Sequence, residues 1–116
     1  MKHRMKLVPG LVLIAGLSLI SGLGVAAGNS QAQKLKKVAL QPNGNVFVHG
    51  ERAWRNPDSC KAKNYAVLKS DHAFYRENYA LLLLAHAQDK GVVLRLSGCV
   101  KASGKKRPIV IGATIQ

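Results

Sequence analysis

The chain has 116 residues, enough for one domain, and its 18 lysines and arginines against five acids give a formal net charge of +13 at pH 7. That charge favours anionic partners such as nucleic acid, acidic glycans, lipopolysaccharide or anionic lipid without choosing among them, and it also serves solubility alone. Five scattered acids offer no paired carboxylates for acid–base work, and two distant cysteines offer no zinc-ligand spacing.

Lys2, His3, Arg4 and Lys6 form a basic start, followed by the apolar run Leu11 to Val25 and the small residues Val25, Ala26 and Ala27. This order is that of a secretory signal peptide over residues 1–27, with an uncleaved membrane anchor as the competing reading. No cysteine follows the apolar run directly, so lipid attachment there is excluded. The expected location is the bacterial periplasm or the exterior. After cleavage, 15 Lys and Arg and all five acids remain, for a net charge of +10.

Residues 28–35 are mostly polar and read as a flexible N-terminal arm. In Lys36–Gly50, alternating Val38 and Leu40, then Val46 and Val48, flank Pro42-Asn43-Gly44, which predicts two antiparallel strands around a tight turn. Glu51–Asn64 carries turn residues at Asn56–Ser59 and reads as a loop. Tyr65–Lys69 is a short third strand. Ser70–Gly91 reads as the helix, with Ser70 or Asp71 as its cap and Gly91 as its left-handed stop. Val92–Val100 alternates again, placing Val92, Leu94 and Leu96 on one face. Lys101–Pro108 is a basic loop, and Ile109–Gln116 is a final β-branched strand. The fold class is therefore mainly β with one helix. Strand-strand-strand-helix-strand-strand is the order of a small five-stranded OB-like barrel, here over residues 36–116.

Cys60 and Cys99 are an even pair in an exported domain and are expected to form one disulfide, with two buried free thiols as the alternative. Closing a loop of roughly 40 residues stabilises by about 3–4 kcal/mol in the chain-entropy model.

The stretch "YALLLLAHA" (Tyr79–Ala87) is too short for a membrane span, which needs about 20 apolar residues. On a wheel of about 3.6 residues per turn, Phe74, Leu81, Leu82 and Ala85 share one face with Tyr75 at its edge. Ala80, Leu83, Leu84 and Ala87 form a second. The first face suits the barrel. The second implies an oligomer contact through Leu83 and Leu84, or else leucines covered by loops or singly exposed.

No catalytic constellation, cofactor motif or metal set stands out. His49, His72 and His86 have no nucleophile motif around them, and His72 and His86 are fourteen residues apart on the helix, too far for one metal. Trp54 lies in "RAWR" with Arg52 and Arg55, a ring beside two guanidinium groups that suits stacking on a sugar or base and pairing with an anion. The alternative is a Trp that plugs the barrel end. Lys105, Lys106 and Arg107 either add to an anion patch or are simply solvated.

"NVFVHG", Cys60, "FYRENYALLLLAHAQDKG" and "VVLRLSGC" resemble the pentameric binding subunits of subtilase-type bacterial toxins, over roughly Asn45 to Cys99. The resemblance implies an OB-fold, a ring of five copies with the helices around its pore, and binding of sialylated glycans. It assigns no glycan-contact residue here. The expected function is an exported, non-enzymatic binding module, a toxin-subunit-like oligomer that takes an anionic glycan or a protein partner. The other readings are a basic nucleic-acid-binding OB-fold, which six large aromatic residues support poorly, and a small inhibitor of a secreted enzyme.

Overall fold

The computed structural model describes residues 25–116, so most of the expected signal peptide, residues 1–24, lies outside the described residues. Six strands and one helix follow in the order β1 (Ala27–Asn29), β2 (Gln33–Leu40), β3 (Val46–Gly50), β4 (Tyr65–Leu68), α1 (Tyr75–Ala87), β5 (Gly91–Ala102) and β6 (Lys105–Ile115). The class is mainly β with one helix, as the hydrophobic patterning indicates. Five strands form a ring: β2 pairs with β3, β3 with β4, β4 with β6, β6 with β5, and β5 with β2. Every pairing is antiparallel except β4 with β6, which meet in parallel at Val67 and Ile109.

The stretch 28–35 is not a loose arm. β1 pairs with Arg95–Ser97 of β5, and the start of β2 pairs with Gly91 and Val92. Since β6 occupies the other edge of β5, β1 and β2 lie end to end along one edge. Ser30 bridges the break: its amide donates to the Leu94 carbonyl at 2.7 Å, and its hydroxyl oxygen accepts from the Leu94 amide at 2.9 Å. Gln33 is buried, accepts from the Arg52 amide and donates to the Arg52 carbonyl. The polar letters that suggest an arm are thus used as substitutes for backbone pairing. A β-carbon at Gly50 would lie 2.5 Å from the Gln33 amide group, which would have to shift from its bonds to Arg52.

The interior of the ring follows the period-two pattern of strands. Val46 and Val48 point inward from β3, Val92, Leu94 and Leu96 from β5, and Val110 from β6, all with no exposed surface. Each such side chain contributes about 1.5–3 kcal/mol by leaving water. Leu82 and Ala85 of α1 close the core, with Tyr75 and Tyr79 packed beside them. Asn78 also faces inward and donates to the Phe74 carbonyl, so its amide is not orphaned.

The helix is shorter than its sequence suggests. Neither Ser70 nor Asp71 caps it. Residues 70–74 form turns instead, and Phe74 precedes the first helical residue without a side-chain cap. Phe74 is therefore off the helical wheel and 62% exposed rather than on the core face. At the other end Asp89, not Gly91, takes the left-handed conformation at φ 54°, which a short polar side chain tolerates. Gly91 instead opens β5. Asp89 pairs with Lys34 at 3.0 Å, and that hydrogen bond holds the Lys34 ammonium's pKa above its usual value.

Lys101–Pro108 is not a basic loop but the tip of a long hairpin. Ser103 and Gly104, at φ 52° and 80°, form its two-residue turn, the geometry that matches strand twist. Among the described residues no helix is long and apolar enough to cross a membrane. Cys60 and Cys99 are disulfide-bonded, with α-carbons 5.8 Å apart.

Candidate functional site

Loop 51–64 carries the first candidate site, and the structure takes it apart. Trp54 is fully buried, with its indole N–H donating to the Val48 carbonyl at 2.9 Å. It joins the core with Leu68, Leu82 and Val110. A ring with no exposed surface has no face for a sugar, so Trp54 is a core residue and not a stacking platform. Arg52 and Arg55 remain exposed. The Arg52 guanidinium donates to the Ala32 carbonyl at 3.4 Å, and the Arg55 amide donates to Gln31 Oε1 at 2.9 Å.

The loop is held firmly. The Trp54 amide donates to the Lys63 carbonyl, and the Ala62 amide donates to the Lys106 carbonyl. The Asp58 carboxylate accepts from the Gly98 amide at 2.6 Å and from the Ala26 amide at 2.9 Å. The Cys60–Cys99 bridge lies beside these contacts and fixes the loop to β5.

A second aromatic and cationic arrangement lies on the outer face of the ring. Val46 and Val48 point inward, so Phe47 and His49 of the same strand point outward. On the neighbouring strand Tyr65 stacks against Phe47, ring centroids 4.2 Å apart, and tilts against His49 at 4.8 Å. Arg107 of β6 completes the stack, its guanidinium carbon 3.9 Å from the Tyr65 ring centre. Arg107 is buried, donates from Nε to the Ala102 carbonyl at 2.8 Å and from Nη1 to Asn64 Oδ1. It is therefore not part of a solvated run, while Lys105 and Lys106 are exposed.

Beside Phe47 the β2–β3 turn and the β5–β6 hairpin tip enclose a concavity of about 330 Å³. Its walls are Gln41, Asn43 and Asn45 on one side and Lys101 and Ser103 on the other. These supply amides, a hydroxyl and one ammonium around a partly exposed ring. The turn is rigid: the Gln41 amide donates to the Asn45 carbonyl, and the Asn45 amide donates to Asn43 Oδ1. Burial pushes the His49 pKa below its usual 6.5, and Lys37, Arg107 and Lys36 push it further the same way. The three charged groups that shift His49 are all positive.

The signal for this face was present in "NVFVHG" and "NYAVL", where alternation places Phe47, His49 and Tyr65 opposite the core residues. Arg107 carried none, because only pairing of β6 beside β4 brings it over Tyr65.

On α1, Leu83 and Leu84 are 43% and 50% exposed and point away from the core. The Nδ1 of His72 accepts from the Phe74 amide, and His86 is exposed. Among the described residues no group of three or more His, Cys, Asp or Glu is placed to hold a metal ion. No family model matches the chain, and no curated protein or solved structure matches it either.

Proposed function

We propose that the chain is an exported, non-enzymatic binding module, built as an OB-type barrel, that holds a glycan on the outer face of β3 and β4. The order of the strand ring, its single parallel closure and the helix between β4 and β5 support the barrel reading. One observation carries the functional reading: the Phe47–Tyr65–Arg107 stack opens into a concavity walled by amides, a hydroxyl and Lys101. An aromatic face beside a few fixed polar groups suits a sugar ring, and the ammonium suits an acidic substituent. In OB-folds this face, between these two turns, is where oligosaccharides and oligonucleotides bind. The disulfide suits an oxidising compartment. A glycan array on the wild type and on Phe47→Ala tests the reading. Retained folding with loss of the array signal supports it; an unchanged signal removes the site.

The likeness to toxin binding subunits extends the proposal to assembly. Phe74, Leu83 and Leu84 stay exposed around one helix, and burying each leucine against another copy would contribute about 1.5–3 kcal/mol. Light scattering at micromolar concentration is expected to show an oligomer, and Leu84→Glu a folded monomer. A wild-type monomer overturns this extension.

A further inference from the structure

Loop 51–64 and the start of β6 together present five exposed cations on one surface. Arg55, Lys61 and Lys63 line a concavity of about 650 Å³ that Asn29, Asn56 and Ser59 share. Lys61 also lines a neighbouring groove of about 420 Å³, with Lys105 and Lys106 on its far wall. Lys61 is common to both, so they form one continuous track. Among the described residues no acid lines either part. Of the two acids in the loop, Glu51 lines neither part, and Asp58 has both carboxylate oxygens committed to backbone amides.

We infer that this track is a second binding site, for a saccharide polyanion bearing sulfate or phosphate groups at intervals. Three features select that chemistry. The track is extended and positive along its length, so it matches a chain of anionic groups better than one small anion. Among the described residues no aromatic side chain lines it, and Trp54 is turned into the core, so these residues give a nucleobase no stacking platform. Its backbone is set in advance: Lys63 and Lys106 each accept a loop amide through their carbonyls, and Cys60 is bonded to Cys99. Ligand binding therefore orders lysine side chains but not the loop that carries them.

The test uses the full mature chain with a free sulfated oligosaccharide and, separately, vesicles containing lipopolysaccharide, whose saccharide carries phosphates. Lys61→Glu/Lys63→Glu is compared with Arg76→Glu/Lys90→Glu, a double change of equal charge on and just after α1. Circular dichroism and the unreduced mass verify fold and disulfide in each. The loop variant is expected to bind about tenfold more weakly or worse, with a shallower salt dependence, while the helix variant changes by less than about twofold. The same pattern with vesicles alone supports the site and assigns it to a lipid-anchored saccharide. Equal losses in the two variants reduce the effect to net charge and overturn the inference. So does tighter binding to oligodeoxythymidine than to the oligosaccharide, or no binding to either saccharide. Phe47→Ala should leave this binding unchanged, so the track stands or falls apart from the β3–β4 face.

Discussion

Two regions of the molecule combine an aromatic ring with arginine, and they do so in opposite ways. In loop 51–64, Trp54 has Arg52 and Arg55 as near neighbours in sequence, yet the ring enters the core and both guanidinium groups stay at the surface. On the outer face, Phe47, Tyr65 and Arg107 are spread over 60 residues, yet Phe47 and Arg107 both lie within 4.2 Å of the Tyr65 ring centre. The difference lies in what fixes direction. An irregular loop lets a large apolar ring turn toward the nearest cavity, which releases more water-exposed area than any cation–π contact returns. Paired strands fix which side chains share a face, so residues from three strands are held together whatever their distance in the chain.

The comparison breaks most sharply at Trp54. Trp54→Ala should destabilise by about 3–5 kcal/mol, through the cavity and the Val48 carbonyl left without its indole donor. Thermal denaturation would measure it, and a change below 1 kcal/mol on the order expected of surface residues would return Trp54 to the surface. Next comes the bridge that holds this loop. Cys60→Ser/Cys99→Ser should lower stability by about 3–4 kcal/mol, read by urea titration, with β3 and β4 still paired in the folded fraction. Arg107→Ala should cost about 1–3 kcal/mol, since it removes the stack on Tyr65 and leaves Asn64 and the Ala102 carbonyl without donors. Arg107→Lys should recover little of this, because an ammonium lacks the planar fork. Denaturant midpoints would separate the two variants.

The smallest effect is a pH dependence on the same face. His49 is held below 6.5 in the folded chain by burial and by Lys37, Arg107 and Lys36. A histidine whose folded pKa is depressed takes up its proton more readily when unfolded, so stability falls as pH drops below about 6.5. His49→Gln should flatten that slope in unfolding curves taken between neutral pH and pH 5. An unchanged slope would mean that His49 does not titrate differently on folding.

Strand positions were legible wherever apolar residues alternate against a fixed partner. "VFVHG" and "VVLRL" carry their inward and outward faces in plain order, and both correspond to ladders with those faces. The disulfide was legible from two cysteines in a domain read as exported. What stayed hidden depends on contacts that no local pattern encodes. β1 exists because Ser30 and Gln33 satisfy backbone groups of β5 and Arg52, and polar residues with that role look like any solvated arm. The helix starts later than Ser70 and Asp71 indicate, because those residues have capping chemistry but the turns of residues 70–74 use the backbone instead. The candidate site was half legible: the cations of the loop are at the surface, but the ring expected beside them is not.

The ring has a consequence for when the chain can fold. Among the described strands β6 (Lys105–Ile115) comes after all the others, and it pairs with both β4 and β5 to close the ring. β2 and β3 can pair as soon as both exist, but the circuit stays open until the eleven residues of β6 arrive beside β4. Contacts of such long sequence separation make folding slow and leave the unpaired edges of β4 and β5 exposed in the meantime. A chain shortened at the hairpin tip would keep most of its core residues and still lack the one strand that turns an open sheet into a closed circuit.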